Sequence, residues 1–446
     1  MVEARQTVTP ATKLTGDIRV PGELAEATLT LILASLSEGE SQVDNTPPGI
    51  APLVSTLGGL GVELQAGVSC VTVRGRGLRS LTAPSAEVDL GGTGDAGLLL
   101  LTAMACQPLA VRVRAPTDGT DLCRKLLAML EQAGVGRVAE EEEGVFRLSG
   151  DGEMKGVDYA DTDLEPSLKL ALLLAGMYAD GETTIREPSK SRDRVELELK
   201  RRGVEVTGIR PDPAERVLKV SGGQTLAPLS LPISGQMELA LPLMVAALTV
   251  KRSVVRIRKV AVRSDNRAFY DLLRQLGGRL ELEDEDQGAA DMVARFTPLR
   301  STRVAQGRAE RLIAHVPLLA VLATQTEGEF IIRDIDALRG SEDALRGSED
   351  ALRGSEADYD LVAHLLSLLR LIGAKVGEYP EGLVIDGGHP LQGTRIDSKG
   401  DPGVVQAFAV AGLLASGDME IEGAECLDGV FPGFFDSLAI LKGRKK

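Results

Sequence analysis

The chain has 446 residues, 43% of them apolar and 26% charged, with a formal net charge of −15. That length supports two or three domains around a large core, and the acidic balance excludes nucleic acid as a partner, because phosphate-backbone binding needs a basic face. With 50 glycines, 3% aromatics and no Trp, the composition suits many short elements joined by tight turns, with cores of Leu, Val and Ala.

In chain order, the opening "MVEARQTVTPATKL" has no apolar h-region and so is not a signal peptide. No apolar run is long enough to span a membrane, so a cytoplasmic protein with no membrane partner is expected. A strand-like "IRV" then meets Pro21-Gly22 and an apolar run with helical spacing. A bare backbone turn at a helix start suits an anion, yet Glu23, Leu24, Ala25 and Glu26 follow, with no cation.

An apolar helix running through a small-residue turn into a strand occurs at 31–43 and returns at 98–113, 170–185, 241–257, 315–332 and 406–421. An amphipathic helix running into a short strand ("LLAMLEQAGVGR", "LLRQLGGRLELE") follows each of the first five, and "FFDSLAILKG" closes the sixth. The pattern predicts an α/β (α+β) protein of six βαβαββ units, three per domain. One helix of each unit is buried and the other half exposed. The expected domains are 19–231 and 1–18 plus 232–446, the break falling near "LAPLSLPISG".

Glu140–Glu143 reads as a solvated hairpin tip, and the triplicated ALRGSE at 337–357 as an insertion that lengthens a surface loop. Cys70, Cys106, Cys123 and Cys426 lack CxxC spacing and read as reduced core residues. The three histidines lie too far apart in sequence to suggest a metal site.

The phrases "PG" after "IRV", "ADGETTI" with "SRDRVELELKRRGVEV", "VPLLAVLATQTEGEFIIRD" and "IDSKGDPGVVQAFAVAGLLASGDMEIEG" resemble the enolpyruvyl transferases, the EPSP synthase family in particular, over nearly the whole chain. The resemblance implies two three-unit domains closing on substrates, an inverse α/β barrel arrangement, and transfer of the enolpyruvyl group of phosphoenolpyruvate to shikimate-3-phosphate. It implies no cofactor and no metal. The matching functional positions are mostly changed. The first turn keeps Pro21 and Gly22 but has Glu23, Leu24 and Ala25 for Ser-Lys-Ser, and Leu29 for an Arg. The second keeps Gly94 but has Gly92, Asp95 and Leu98 where the family has Asn, Thr and Arg. The Ser-Ser-Gln triplet is Glu165, Pro166 and Ser167, whereas Ser191-Arg192 keeps the pair of the shikimate-phosphate pocket. Ala314 and His315 stand for the catalytic Asp-Glu. Arg353, Glu356 and Asp358 match the later loop, but Ser355 and Tyr359 replace its Lys and final Arg. Gly400 and Asp401 persist before Pro402 and Gly403, and Gly429 replaces a late Lys.

The substrate-binding candidates are therefore Ser191, Arg192, Gly94, Ser167 and Arg353, with Asp401 and Glu356 as acid/base candidates. Lys190, Arg263 and Arg267 are further cations, read first as solvated surface. Ser167, Lys169 and Glu165 read as helix-capping residues, and His315 as structural. Losing roughly six charge-assisted contacts of about 1.5–3 kcal/mol each outweighs the roughly 8 kcal/mol of a micromolar ligand. The expectation is a homologue that is inactive or repurposed to bind a protein partner or a less anionic ligand. The alternatives are a divergent working enzyme that takes a phosphorylated small molecule, and another transferase or cyclase chemistry on the same scaffold.

Overall fold

The computed structural model describes residues 5–150, 153–160, 164–188, 195–286, 288–305, 307–338, 360–379 and 381–443. The chain forms two compact bodies, Gly22–Ile233 and Met1–Pro21 with Ser234–Lys446. The crossings therefore fall at 21/22 and 233/234, two to three residues beyond the boundaries expected at 18/19 and 231/232. The repeat at 337–357 lies almost wholly outside the described residues, Ala337 and Leu338 excepted.

The first body contains helices α1 (Leu24–Ser35), α2 (Ala51–Gly59), α3 (Gly97–Ala105), α4 (Thr120–Gln132), α5 (Pro166–Tyr178) and α6 (Glu196–Lys200). The second contains α7 (Met237–Thr249), α8 (Ala268–Gln275), α9 (Gly307–Glu310), α10 (Val316–Ala323), α11 (Leu361–Leu371), α12 (Pro402–Leu414) and α13 (Phe434–Leu441). Helix α5 is buried at every position from Leu168 to Tyr178, and α10 along its whole length. A helix with no polar face has to be enclosed. By contrast, α4 buries Cys123, Leu126, Leu127, Met129 and Leu130 along one stripe and leaves the rest to solvent. The apolar helices pack on one another: α3 against α1 and α5, and α7, α10 and α12 mutually.

Each enclosed helix is covered by a sheet. In the second copy, Val88–Asp89 pairs parallel with Ala110–Arg114, which pairs antiparallel with Val145–Ser149, itself paired with Arg137–Glu142. The third and fifth copies repeat this order with strands from their own segments. The first and fourth borrow their leading strands from elsewhere in the chain: Leu231–Pro232 joins Glu38–Asp44, and Thr15–Ile18 joins Val254–Ala261, both parallel. The sixth has no hairpin; Gln6–Val8 adds antiparallel to Met419–Glu422 instead. Strand borrowing is the physical reason the second body takes its first segment from the N-terminus.

The acidic run is the exposed hairpin tip expected of it, with its carboxylates paired at the surface. Glu140 accepts from Arg124 and from the Gly144 N–H at 2.9 Å, which holds its carboxyl down at about 2. Glu141 and Glu142 pair with Arg147 and Arg112. All four cysteines are free, but only Cys106 and Cys123 are core residues; Cys70 and Cys426 are half-buried. Burial pushes the Cys123 thiol up to about 11 and the Cys426 thiol up to about 12, away from nucleophilic chemistry.

The Pro-Gly turn has a structural reason. The Gly22 N–H donates to the Asn45 carbonyl at 3.1 Å, and Asn45 Nδ2 donates to the Ile233 carbonyl at 3.0 Å. A Cβ on Gly22 would lie 2.2 Å from the Asn45 oxygen and 2.7 Å from Ile233 Cγ2. Gly22→Ala is therefore expected to destabilise the protein by about 1–3 kcal/mol, read as a lower midpoint in urea unfolding.

Candidate functional site

The helix starts that matched the family's anion turns can be taken one at a time. At α1, Glu23 is the N-cap residue in extended conformation; it is buried, and its side chain makes no capping bond. Leu24 and Leu29 are half-buried and packed against the core of the first body. Where a cation would need to face an anion, this helix start offers an acid and hydrocarbon.

At α3, Gly94 has φ +52° and faces open space, so its turn is intact. Beside it lies a cavity of about 120 Å³ whose walls include Gly94, Asp95, Leu98, Pro116, Asp118 and Leu122. Among the described residues, no Lys or Arg lines this cavity. Two carboxylates in so small a space repel phosphate rather than hold it.

At α5 the expected capping does not occur. Glu165 is the N-cap residue but makes no side-chain cap bond, and its carboxylate lies 3.5 Å from Lys125 Nζ. Ser167 Oγ is buried without a hydrogen-bond partner among the described residues. Lys169, 3% exposed, turns inward and donates to Glu187 at 3.1 Å; Glu187 is 1% exposed. Arg216 then bridges Glu187 at 2.7 Å and Glu196 at 2.5 Å. Two cations and two anions thus form a largely buried chain of zero net charge that leaves them engaged with one another, although Glu196 Oε2 is buried without a hydrogen-bond partner among the described residues. A short polar residue at a helix start suggests a cap, but here the apolar α5 is held through its Lys to the neighbouring sheet.

Sequence reasoning missed Glu187, Arg216, Glu196 and Arg202. Glu187 interrupts the alternation of Glu182–Pro188 by being polar at a buried position, which is the one signal available. Arg202 gave none: it is fully buried, its Nη2 reaches the Thr30 carbonyl at 3.5 Å, and its Nε and Nη1 have no partner among the described residues. Burial pushes its guanidinium down to about 10.

In the second body, His315 precedes α10 and packs edge-on to Phe269 with ring centroids 5.4 Å apart. Burial pushes its imidazole down to about 4, so at neutral pH it is uncharged. Asp401 caps α12: its Oδ1 accepts from the Val404 N–H at 3.0 Å, and its own N–H donates to the Ser398 carbonyl at 3.1 Å. Arg263 is exposed and Arg267 half-buried, paired with Asp265 and Asp271 respectively. Lys190, Ser191, Arg192, Arg353 and Glu356 lie outside the described residues. Gly94, Ser167 and Asp401, the described candidates, each sit at a different helix start.

This architecture is that of the enolpyruvyl transferases. The EPSP synthase of Acinetobacter baumannii superposes with a TM-score of 0.71 at 21% identity, covering 98% of each chain. The enolpyruvyl transferase NikO of Streptomyces tendae does so with a TM-score of 0.61 at 19% identity, over the same shares. The profile described as EPSP synthase (3-phosphoshikimate 1-carboxyvinyltransferase) matches residues 8–438. The chain is 30% identical over 443 residues to the 3-phosphoshikimate 1-carboxyvinyltransferase of Brevibacillus brevis (97% and 98% coverage). It is 32% identical over 445 residues to that of Gloeobacter violaceus, with the same coverage. The chain belongs to the EPSP synthase family.

Two outcomes follow from this geometry. If Asp401 serves as a cap, Asp401→Ala lowers stability by about 1 kcal/mol while Asp401→Asn, an equally good cap, stays within a few tenths, as measured by denaturant midpoints. His315 binds its proton more weakly folded than unfolded, so its contribution to stability is full above the unfolded value near 6.5 and is lost as pH falls toward 4. His315→Gln removes this dependence, and the gap between wild type and variant is expected to shift by up to about 3 kcal/mol across that window.

Proposed function

We propose that this chain is a non-catalytic member of its family, a cytoplasmic binding protein that keeps the scaffold and has given up enolpyruvyl transfer. The observation that carries this reading is the acid-lined cavity at Gly94, where Asp95 and Leu98 stand at positions that match a Thr and an Arg of the family. The surroundings of the other helix starts support it. Leu24 and Leu29 pack as hydrocarbon, Lys169 is consumed by Glu187, and the Asp401 carboxylate is engaged in its cap. Transfer of enolpyruvate needs cations on two phosphates and a carboxylate, together with a group that moves a proton. A neutral His315 beside Ala314 supplies neither an anion nor a cation at pH 7. A ligand held at any of these helix starts is accordingly less anionic than the family's substrates, or is a protein partner.

The end-to-end match to relatives named as 3-phosphoshikimate 1-carboxyvinyltransferase favours a second reading, a divergent working enzyme of the shikimate pathway. Incubating the protein with shikimate-3-phosphate and phosphoenolpyruvate while following phosphate release separates the two. No release above background, and no heat of binding for phosphoenolpyruvate by calorimetry, is the expected result. Turnover at about 1 per second or faster would overturn the proposal.

A further inference from the structure

A different part of the second body gathers cations. The turn that leaves α7 carries Lys251 and Arg252, the strand Arg279–Asp286 begins with Arg279, and Ala289–Arg295 ends with Arg295. These four, with Ser253, Val254, Glu281 and Phe296, line a surface pocket of about 680 Å³. None of the four side chains has an ion-pair partner among the described residues, and Glu281, the acid on the wall, pairs with none of them. Most other strand arginines of the second body are tied to carboxylates: Arg256 to Glu283 and Asp291, Arg258 to Asp17, Arg333 to Glu381, and Arg395 to Glu422.

The placement is unfavourable without a guest. Arg279 and Arg295 are direct cross-strand partners, and Val254 is the next partner in the same row. Like charges directly opposite one another destabilise a sheet. The internal repeats supply the comparison, since each hairpin has a corresponding first pair. Those pairs are Glu63 with Arg74, Arg137 with Ser149, Val206 with Val220, and Lys375 with Asp386. Two opposite-charge pairs and two uncharged or singly charged ones contrast with the arginine pair of the fourth copy. The turns after the other enclosed helices carry Glu38, Gln107, Asp180, Glu327 and Asp418 where this one has Lys251-Arg252. A helix C-terminus by itself favours nearby cations, which accounts for Lys251 and Arg252 but not for the two arginines brought in by the hairpin.

We propose that this pocket binds a small, multiply charged phosphoanion of the pyrophosphate or nucleoside diphosphate class. The guanidinium forks of Arg279 and Arg295 suit paired contacts to phosphoryl oxygens, and Lys251 and Arg252 close the charge on the turn side. Val254 and the half-buried Phe296 add an apolar wall on which a flat ring can rest. Because α7 is 13 residues long, the pocket at its C-terminal exit lies roughly 20 Å from that helix's N-terminus.

The test is calorimetry on the full chain at low salt with pyrophosphate and with ADP. Micromolar binding of pyrophosphate is expected, with affinity reduced tenfold or more in the Arg279→Gln/Arg295→Gln variant. The Arg263→Gln/Arg267→Gln variant, which removes the same charge from paired surface positions of the same body, is expected to bind as wild type does. Tighter binding of ADP than of pyrophosphate supports use of the Phe296 wall; equal binding supports the phosphoryl contacts alone. The Arg279→Gln/Arg295→Gln variant is also expected to melt no lower than wild type in phosphate-free buffer, because a repulsion has been removed. Should that variant not fold, Lys251→Gln/Arg252→Gly, in an exposed turn where Arg252 has φ +59°, replaces it with the same expected loss of affinity. No binding of either probe, or equal loss in the control variant, overturns the proposal.

Discussion

Enclosing helices that have no polar face is the constraint on which everything else in this molecule rests. Helices such as α5 and α10 can be stable only when apolar neighbours cover them on every side. The three apolar helices of each body, α1, α3 and α5 or α7, α10 and α12, therefore pack on one another, and the sheets lie outside them. Most polar groups then lie at the helix ends, on the outer faces of the sheets and in the turns between them, with Arg202 and the Lys169–Glu187 pair as buried exceptions. Chemistry on such a scaffold belongs to helix ends, which are also the positions the core does not need. Leu98, the second residue of α3, is nevertheless part of the core, and Leu29 of α1 packs against it.

The same constraint explains the features that persist. Pro21-Gly22 resembles an anion turn, but Gly22 is required by the closeness of Asn45 and Ile233 whether or not an anion is present. Asp401 resembles a catalytic carboxylate, yet it caps α12 and would be retained for that reason alone. Residues serving two purposes outlast the loss of one of them. Residues that serve only a ligand carry no such packing or capping duty.

Charge inside the molecule follows a consistent rule. Most cations on strands meet carboxylates across the sheet, and Lys169, Glu187, Arg216 and Glu196 pair in a linear chain of zero net charge. With a net charge of −15, an unmatched group of four cations is therefore the exception. It arises where a helix exit and a hairpin start come together, and it departs from the pattern of the other copies.

The periodic features were legible in the linear chain because each rests on local spacing: the sixfold helix–turn–strand pattern, the enclosed and amphipathic helix types, and the family's turn glycines. The composition break near 226–235 fell close to the second crossing for the same reason, since Leu231–Pro232 is the last strand of the first body. Borrowed strands such as Gln6–Val8 beside Met419–Glu422 were not legible, because pairing partners more than four hundred residues apart leave no local trace. Nor was the fate of Lys169, read as a cap and found inside an ion-pair chain, or the meeting of Arg279 with Arg295. The sequence by itself determined which helices are enclosed and which are amphipathic. Only tertiary structure decided which remaining charges neutralise one another, because that depends on strand register and on which ends of distant elements share a surface.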